Sequence, residues 1–435
     1  MTEMLWQKDV PAANLVVRGA RVLDPAEGID ASLEVRIDDG TIVEVAQQVD
    51  ANEHRVVAAD GLVLAPAFVD PHVHLRTPGR EDEETVASGT AAAAAGGYCA
   101  ILAMPNTDPV VDSAATLGAL VDAACREAEV PVGFLAAITR GQRGEELTEM
   151  GELADTGAVA FSDDGVPVAS AGLMRRALQY ASITDRPLAL HCEEPTLSHG
   201  GHVHEGRVAA ELGFSGYPSV AESVAVERDL ALAGYESGRV HVLHLSAAES
   251  VDALRRARNA GVAASGEATP HHLVLTDDAV RSLDPNVKMN PPLRGEPDRV
   301  ALLEAVRDGT IEAIATDHAP HAAHEKEVPF EAAPFGVTGL ETAFAVLYTH
   351  LVEPGLLTLE TLLERMSAGP ARIFGLDRPR ISVGAPANLV LLDLEREWTV
   401  GAQPFRSRSG NSWLLGSPLK GAVQMTLAGG GVAFE

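Results

Sequence analysis

The chain has 435 residues, enough for two or three domains, and 46% hydrophobic residues, enough for a substantial core. Its 62 acidic and 33 basic residues give a formal net charge of −29, which opposes binding to nucleic acid or to anionic lipid. No apolar run reaches the ~18 residues of a membrane span, and the N-terminus lacks a secretory signal pattern. The three scattered cysteines argue against a disulfide framework. We therefore expect a cytoplasmic globular protein with no nucleic-acid or membrane partner.

Short alternating strands separated by turns are predicted near both ends of the chain. In residues 13–58, Asp39 and Gly40 lie between two such runs and predict a hairpin. Similar strands occur at 387–394 and 423–427. Because neither end supplies enough strands for a stable sheet, we predict that both contribute to one small β-sandwich domain, comprising residues 1–64 and 376–435.

The intervening residues 65–375 alternate between apolar strand-like runs and alanine- and leucine-rich helical runs. The predicted strands are 62–72, 98–105, 132–139, 158–163, 187–193, 239–246, 262–268 and 311–316. The predicted helices are 84–95, 113–129, 171–184, 219–236, 247–260, 297–308 and 338–351. Near-continuous apolar strands are typical of a parallel sheet covered on both faces, and eight units favour an α/β fold closed into a (β/α)8 TIM barrel. Two stretches without periodicity, 199–217 and 318–337, are predicted to be loops over the barrel mouth.

The first predicted barrel strand ends in a group of polar side chains. His72, His74 and Arg76 alternate along the chain and would share one face of an extended strand. Two neutral imidazoles suit a cation such as zinc, and a guanidinium suits a carboxylate. For an isolated His-x-His pair, the structural alternative is two hydrogen-bonded histidines at a strand end.

The remaining strands make that alternative less favourable. Counting the first strand, six of the eight predicted strands end in side chains that could bind a metal or a substrate. In a barrel, these strand ends meet at one rim, where barrel enzymes place their active sites. Four histidines and two aspartates at the rim would suffice for two divalent cations, which together activate water and polarise a carbonyl oxygen. At the end of strand four, alternation shows only that Asp163 and Asp164 point to opposite faces.

Taken together, the motifs resemble those of the dihydroorotase family, specifically the bacterial class I type within the amidohydrolase superfamily of metal-dependent hydrolases. The resemblance covers essentially the whole chain, including the split β domain. The matching stretches are 70–76, 104–107, 161–165, 191–194, 243–246, 288–294 and 315–321.

The resemblance implies a zinc centre. One zinc would be bound by His72, His74 and Asp317, the other by His191 and His244, with Asp164 bridging them. Many amidohydrolases use a carboxylated lysine as the bridge, but none of the four lysines lies on strands three or four. Occupancy of the second zinc site stays open at this point.

The same resemblance implies the substrate contacts and the reaction. Asp317 would also transfer the proton, and the substrate-binding residues would be His74, Arg76, Asn106, Asn290, His321, Phe335 and Gly336. The reaction would be the reversible cyclisation of N-carbamoyl-L-aspartate to (S)-dihydroorotate in pyrimidine biosynthesis. The alternatives are another cyclic amidohydrolase, such as a hydantoinase or allantoinase, or an inactive scaffold that binds aspartate transcarbamoylase. Two protein partners are compatible with the resemblance: a second copy of the chain and aspartate transcarbamoylase.

Several other polar residues are assigned to structure rather than to chemistry. His202 and His204 lie in a glycine-rich loop and are expected to be solvated. His318 and His324 lie in the predicted loop 318–337, where we expect exposure. His271 and His272 end strand seven, where packing is favoured over one of them facing the site, and Cys192 is expected to be buried. For Lys288, assistance to an anionic substrate and a surface position are both open.

Overall fold

The structure is a computed structural model that describes residues 4–51 and 53–435. Strands from the two ends of the chain form two sheets. One sheet has four strands in the order Thr41–Ala46, Glu34–Asp38, Leu15–Arg18 and Arg55–Ala58. The other, which we call the six-stranded sheet, has the order Gly431–Phe434, Pro418–Ala428, Leu389–Thr399, Val63–Pro66, Arg21–Asp24 and Ile29–Ser32.

The two sheets share one buried cluster of side chains, to which Ile37, Leu64, Leu389 and Leu427 contribute. The predicted hairpin is confirmed, because Glu34–Asp38 and Thr41–Ala46 pair antiparallel across residues 39 and 40. Both turn residues have positive φ, 46° for Asp39 and 71° for Gly40, as a tight two-residue hairpin turn requires. The sequence therefore encodes this turn locally.

Between these sheets the chain forms parallel strands and helices. The parallel strands are Phe68–Val73, Tyr98–Ala103, Val132–Phe134, Leu188–Leu190, Val240–Val242, Ala264–Ala268 and Ala313–Ile314. They pair in chain order in groups of three and four. Isolated parallel bridges join Ala136 to Phe161, Phe161 to Leu188 and Val73 to His318.

Two predicted strands differ from the observed ones. The run 62–72 is two strands, because Val63–Pro66 joins the six-stranded sheet, whereas Phe68–Val73 pairs with Tyr98–Ala103. The run 158–163 makes only the two bridges at Phe161. An apolar run is compatible with burial in either sheet, so periodicity does not reveal where one strand ends and the next begins.

Helices follow most of the parallel strands. They are Val86–Ala95, Ala114–Glu127, Met150–Thr156, Ala171–Thr184, Pro195–Ser198, Arg207–Leu212, Val220–Glu236, Ala248–Asn259, Pro270–Val274, Glu296–Asp308, Ala323–Lys326, Ala343–Leu347, Leu359–Met366 and Ala368–Ile373. Short 3-10 turns occur at Arg140–Gln142, Asp277–Ser282 and Pro285–Val287, and Tyr348–Val352 is π-helical.

Six of the seven predicted helices begin within two residues of the observed ones. The seventh, predicted from 338, begins only at Ala343. Residues 338–342 are not helical. Within them, the Gly339 N–H donates a 3.1 Å hydrogen bond to His318 Nδ1.

The two predicted loops carry short elements of their own. Val203–His204 pairs with Gly216–Tyr217, and Ala323–Lys326 is helical. Within the second loop, residues 329–336 are held by two buried lysines. Lys288 Nζ donates to the carbonyl oxygens of Glu331 and Ala333, both at 2.8 Å, and Lys326 Nζ donates to that of Pro334 at 2.7 Å. In the part of the chain that the structure describes, no helix has the length and apolar character needed to cross a bilayer.

Candidate active site

The six predicted metal ligands lie together, and all six are buried. Five of them lie at or just beyond the C-terminal end of a parallel strand, and Asp164 lies three residues after the bridges at Phe161. Because parallel strands bring their C-terminal ends to one edge, the strand direction explains why these residues converge. Three non-glycine residues here have positive φ: Arg76 at 56°, His244 at 30° and Asp317 at 48°. Such conformations are costly for side-chain-bearing residues and cluster at functional sites.

Asp164 lies at the centre of this group, between two pairs of histidines. Its Oδ2 atom is 3.6 Å from Nε2 of both His72 and His74. Its Oδ1 atom is 3.4 Å from His244 Nε2 and 3.7 Å from His191 Nδ1. Asp317 joins the first pair, with Oδ1 3.1 Å from His74 Nε2 and 3.4 Å from His72 Nε2. One carboxylate oxygen therefore faces each histidine pair.

The neighbouring Asp163 serves the loop rather than this centre. Its Oδ1 accepts hydrogen bonds from the backbone N–H groups of Ile138 and Thr139, at 2.8 and 3.1 Å. The structure thus resolves the alternative that strand alternation left open, because only Asp164 faces the histidines.

Three of the four histidines are oriented through the ring nitrogen that faces away from Asp164. His72 Nδ1 is 2.7 Å from Glu267 Oε1, and His191 Nε2 is 2.9 Å from Glu193 Oε2. His74 Nδ1 is 2.9 Å from Asn106 Oδ1. A proton on each outer nitrogen leaves the inner nitrogen with a lone pair directed at the centre, which is the tautomer that a metal ligand needs.

Sequence reasoning missed the orienting roles of Glu267 and Glu193. A signal for Glu267 was available, because it is the one charged residue in the predicted strand 262–268. Glu193 follows His191 by two residues, and its role depends on how the chain bends after the strand.

Charge compensation within the cluster shifts several pKa values. Burial alone would lower the pKa of His72, but Asp317, Asp164 and Glu267 raise it well above its ordinary value. Burial would raise the pKa of Asp164, but His72 and the other histidines hold it well below the usual range. The pKa of Asp317 is lowered in the same way, by His72 and then His74. For Glu267, contact with His72 and His241 overcomes burial and lowers the pKa to about 2. Both central aspartates are therefore ionised at neutral pH.

The donor set fits divalent cations. His72 Nε2 and Asp164 Oδ1 are buried and make no hydrogen bond among the described residues, although both point into the cluster. Donor atoms 3.4 to 3.7 Å apart are too distant for strong hydrogen bonds. They are suitably spaced to bind one cation in common at the ~2.0–2.2 Å of zinc–nitrogen and zinc–oxygen bonds. Two groups have ligand atoms that all lie within 4.8 Å of one another: His72, His74 and Asp164, and Asp164, His191 and His244. In the second group, His191 Nδ1 and His244 Nε2 are 2.9 Å apart.

Of the predicted substrate-binding residues, Arg76 and Asn106 lie beside this centre. The Arg76 Nε–H lies 3.1 Å from both the Pro320 carbonyl oxygen and Glu83 Oε2, and the charges of Asp317 and Asp164 act on its guanidinium. Asn106 contacts His74 and, at 3.4 Å, Asp164, so it also supports the metal ligands.

The remaining predicted substrate-binding residues are Asn290, His321, Phe335 and Gly336. Asn290 Nδ2 donates to Glu193 Oε2 at 3.4 Å, while its buried Oδ1 makes no hydrogen bond to any described residue. His321 Nε2 donates to the Phe335 carbonyl oxygen at 2.7 Å, next to Gly336.

Two other histidines, His318 and His204, differ from expectation, whereas His324 and His272 agree with it. His318 was expected to be exposed, but this is wrong, because it is 1% exposed and its Nε2 is 3.1 Å from Glu84 Oε2. His324 is exposed as predicted. His204 is half-buried in a short strand beside Arg294 rather than fully solvated. His272 is a packing residue that contacts Thr269 and the Pro291 carbonyl oxygen.

All four residues for which packing or a surface position was considered are buried: His271, His272, Cys192 and Lys288. Cys192 is buried as predicted. Lys288 is buried as well, so of its two alternatives the surface position is wrong.

The fold and the site define the class of protein. The chain resembles solved cyclic amidohydrolases over nearly its whole length. For L-hydantoinase (dihydropyrimidinase) from Arthrobacter aurescens, the TM-score is 0.87, with 26% identity and coverage of 97% of this chain and 96% of that one. For a dihydropyrimidinase from Brevibacillus agri the TM-score is 0.84 at 22% identity, which shows the fold alone. The chain thus has the mixed α/β fold of the metal-dependent amidohydrolases.

Sequence comparison identifies the family within that class. The family described as Dihydro-orotase-like matches residues 61–250. The chain is 46% identical to the dihydroorotase of Geobacillus kaustophilus, covering 92% of this chain and 94% of that protein. It is 48% identical to the dihydroorotase of Anaeromyxobacter dehalogenans strain 2CP-1, covering 97% and 98%. This chain belongs to the dihydroorotase family.

Proposed function

We propose that the protein catalyses the reversible cyclisation of N-carbamoyl-L-aspartate to (S)-dihydroorotate, a step of pyrimidine biosynthesis. The observation that carries the proposal is the position of Asp164, whose two carboxylate oxygens each face a pair of histidines. Membership in the dihydroorotase family supports this substrate over others that the same centre could hydrolyse. The protein is accordingly a cyclic amide hydrolase that acts on a small molecule.

The architecture that we infer consists of a catalytic (β/α)8 barrel, residues 65–375, and a β-sandwich domain made of residues 1–64 and 376–435. Parallel bridges from Ala136 to Phe161, Phe161 to Leu188 and Val73 to His318 support closure of the barrel. The buried cluster shared by the two terminal sheets supports the sandwich. Such closure brings all the strand ends to one rim.

The proposed cofactor is a pair of zinc ions. His72, His74 and Asp317 would hold one ion, His191 and His244 the other, and Asp164 would bridge them. When bound, such ions lower the pKa of water and polarise a carbonyl oxygen. Three imidazoles whose outer nitrogens lie beside hydrogen-bond acceptors, and the unsatisfied atoms His72 Nε2 and Asp164 Oδ1, support this assignment.

The protein's own groups position the substrate and move the proton. In the hydrolytic direction, water adds to the ring carbonyl carbon and the carbon–nitrogen bond breaks. Asp317 takes the proton from the attacking water and delivers it to the departing nitrogen. The neighbouring histidines hold its pKa below the usual range, so it is ionised at neutral pH, as a proton acceptor must be.

Substrate selection follows from charge. Arg76, with Asn106 and His321, would bind the free carboxylate, which distinguishes dihydroorotate from uncharged hydantoins and dihydropyrimidines. Asn290 and the backbone at Phe335 and Gly336 would bind the ring amides, and the unsatisfied Asn290 Oδ1 is an acceptor suited to a ring N–H. His74 would contact both metal and substrate.

Zinc removal tests this proposal. We expect dialysis against a chelator to abolish conversion of dihydroorotate and zinc addition to restore it. Activity that survived complete removal of metal would contradict the metal mechanism. A panel of dihydroorotate, hydantoin and allantoin discriminates the hydantoinase alternative, which the likeness to L-hydantoinase favours. Turnover of hydantoin in preference to dihydroorotate would establish that alternative, and the absence of turnover on all three would support the scaffold.

Two protein partners and a location also belong to the proposal. We propose a homodimer and an association with aspartate transcarbamoylase in the cytoplasm, where the three free cysteines would stay reduced. Sedimentation of the purified chain, alone and with the transcarbamoylase, tests both associations.

A further inference from the structure

The Glu267 carboxylate contacts both halves of the ligand cluster. Its Oε1 atom accepts a 2.7 Å hydrogen bond from His72 Nδ1, on one side of Asp164. The same atom accepts a 3.2 Å hydrogen bond from the backbone N–H of His244, on the other side. We propose that Glu267 is a positioning residue that fixes the two halves of the proposed metal centre relative to each other. This inference rests on the proposed function, because it assumes that these histidines bind cations.

His244 needs such support more than the other three histidines. Its outer nitrogen, Nδ1, is buried and has no hydrogen-bond partner among the described residues, whereas the other three outer nitrogens each have one. Its backbone has a φ of 30°, which is unfavourable for a residue that carries a side chain. The orientation of this imidazole therefore depends on its main chain, and Glu267 holds the N–H of that main chain.

Glu267 is itself rigidly held. Its side chain is fully buried, and Oε2 is 2.9 Å from His241 Nε2. The opposite side of that ring, His241 Nδ1, is 2.9 Å from Ser265 Oγ. His241 and Ser265 therefore hold the carboxylate through its Oε2 atom, and neither of them is a proposed metal ligand. A group fixed in this way can transmit its own position to both ligands.

The shared Glu267 oxygen predicts how metal binding should change when this side chain is removed. Because one oxygen atom serves both His72 and His244, its removal should loosen both ions at once. Supporting residues of metal ligands typically contribute about 10- to 100-fold in metal affinity. We therefore expect Glu267→Ala to weaken binding of both zinc ions by at least about tenfold. Zinc content would then fall from two towards zero as chelator rises, without a plateau at one ion.

Two further variants separate positioning from general damage to the core. Glu267→Gln keeps an acceptor near His72 and His244 without the charge, and neutral hydrogen bonds are roughly half as strong. Its loss of zinc affinity should be smaller than that of Glu267→Ala but measurable. The matched control is Glu84→Ala, which removes an equally buried carboxylate paired with a histidine, His318, that is not among the proposed ligands.

The experiment titrates purified protein with a chelator and measures bound zinc directly, together with the melting temperature of the metal-free protein. Support requires that both Glu267 variants lose affinity for both ions, while Glu84→Ala retains them. Wild-type affinity in Glu267→Gln, selective loss of one ion, or equal loss in Glu84→Ala would overturn the inference. If Glu267→Ala does not fold, Glu267→Gln decides. A wild-type protein that binds no zinc would refute the proposed function instead, which keeps the two failures distinct.

Discussion

Replacement of Arg76 by alanine tests the substrate assignment directly. The guanidinium is mostly buried beside Glu83, and the charges of Asp317 and Asp164 reach it. A hydrogen bond to a charged group contributes about 1.5–3 kcal/mol. At about 1.4 kcal/mol per tenfold change, Arg76→Ala should raise KM for dihydroorotate by about 10- to 150-fold. Because Arg76 is not a proposed metal ligand, bound zinc should not change.

Arg80 supplies a matched control for this substitution. Its Nη2 atom donates to the other oxygen of Glu83 at 2.6 Å, but its side chain is 46% exposed and also pairs with Glu325. Either substitution leaves Glu83 with one guanidinium, so both should disturb Glu83 similarly. Initial-rate kinetics on wild type, Arg76→Ala, Arg76→Lys and Arg80→Ala would be combined with thermal melts. An unchanged KM in Arg76→Ala, or an equal rise in Arg80→Ala, would refute the carboxylate-binding role.

Three further predictions concern the metal, the reaction and the fold. His74→Ala should abolish turnover and release zinc from its own half of the centre, measured as zinc per chain; full zinc content would contradict its role as a ligand. Ring closure removes one carboxylate and takes up a proton, so the equilibrium ratio of dihydroorotate to N-carbamoyl-L-aspartate should rise about tenfold for each unit fall in pH above the carboxylate pKa. A ratio independent of pH would exclude this reaction. Burial, and then the charge of Lys288, lowers the pKa of Lys326 from its ordinary 10.5 to about 7, so between these pH values the unfolded chain binds more protons than the folded one. The free energy of unfolding should therefore rise with pH from about 7 to 10, and Lys326→Met should flatten the rise in urea melts; parallel slopes would contradict this.

The positions of the proposed ligands could be predicted because they follow from a rule about strands. His72, His191, His244 and Asp317 each come after an apolar run, and parallel strands bring their C-terminal ends to one edge. The resemblance to dihydroorotases then selected Asp164 over Asp163, and the geometry agrees, since only Asp164 lies between the histidines. The individual roles of these residues stay predictions.

Contacts that depend on tertiary packing could not be predicted in this way. His318 appeared to be an exposed loop residue, yet it is buried against Glu84, a residue 234 positions earlier in the chain. Glu267 reaches His72 across 195 positions. Periodicity describes which face of a segment is buried, whereas such pairings depend on which segments meet. The break within residues 62–72 escaped detection for the same reason, because both resulting strands are apolar.

The six-stranded sheet has a consequence for how the enzyme is made. Val63–Pro66, which leads directly into the first catalytic strand, pairs with Leu389–Thr399 near the other end of the polypeptide. During translation this partner emerges only after every active-site residue has left the ribosome. Because Val63–Pro66 also pairs with Arg21–Asp24, a nascent chain halted before residue 389 would carry all its proposed catalytic groups, but the segment that leads to His72 and His74 would have only one of its two neighbouring strands in the six-stranded sheet.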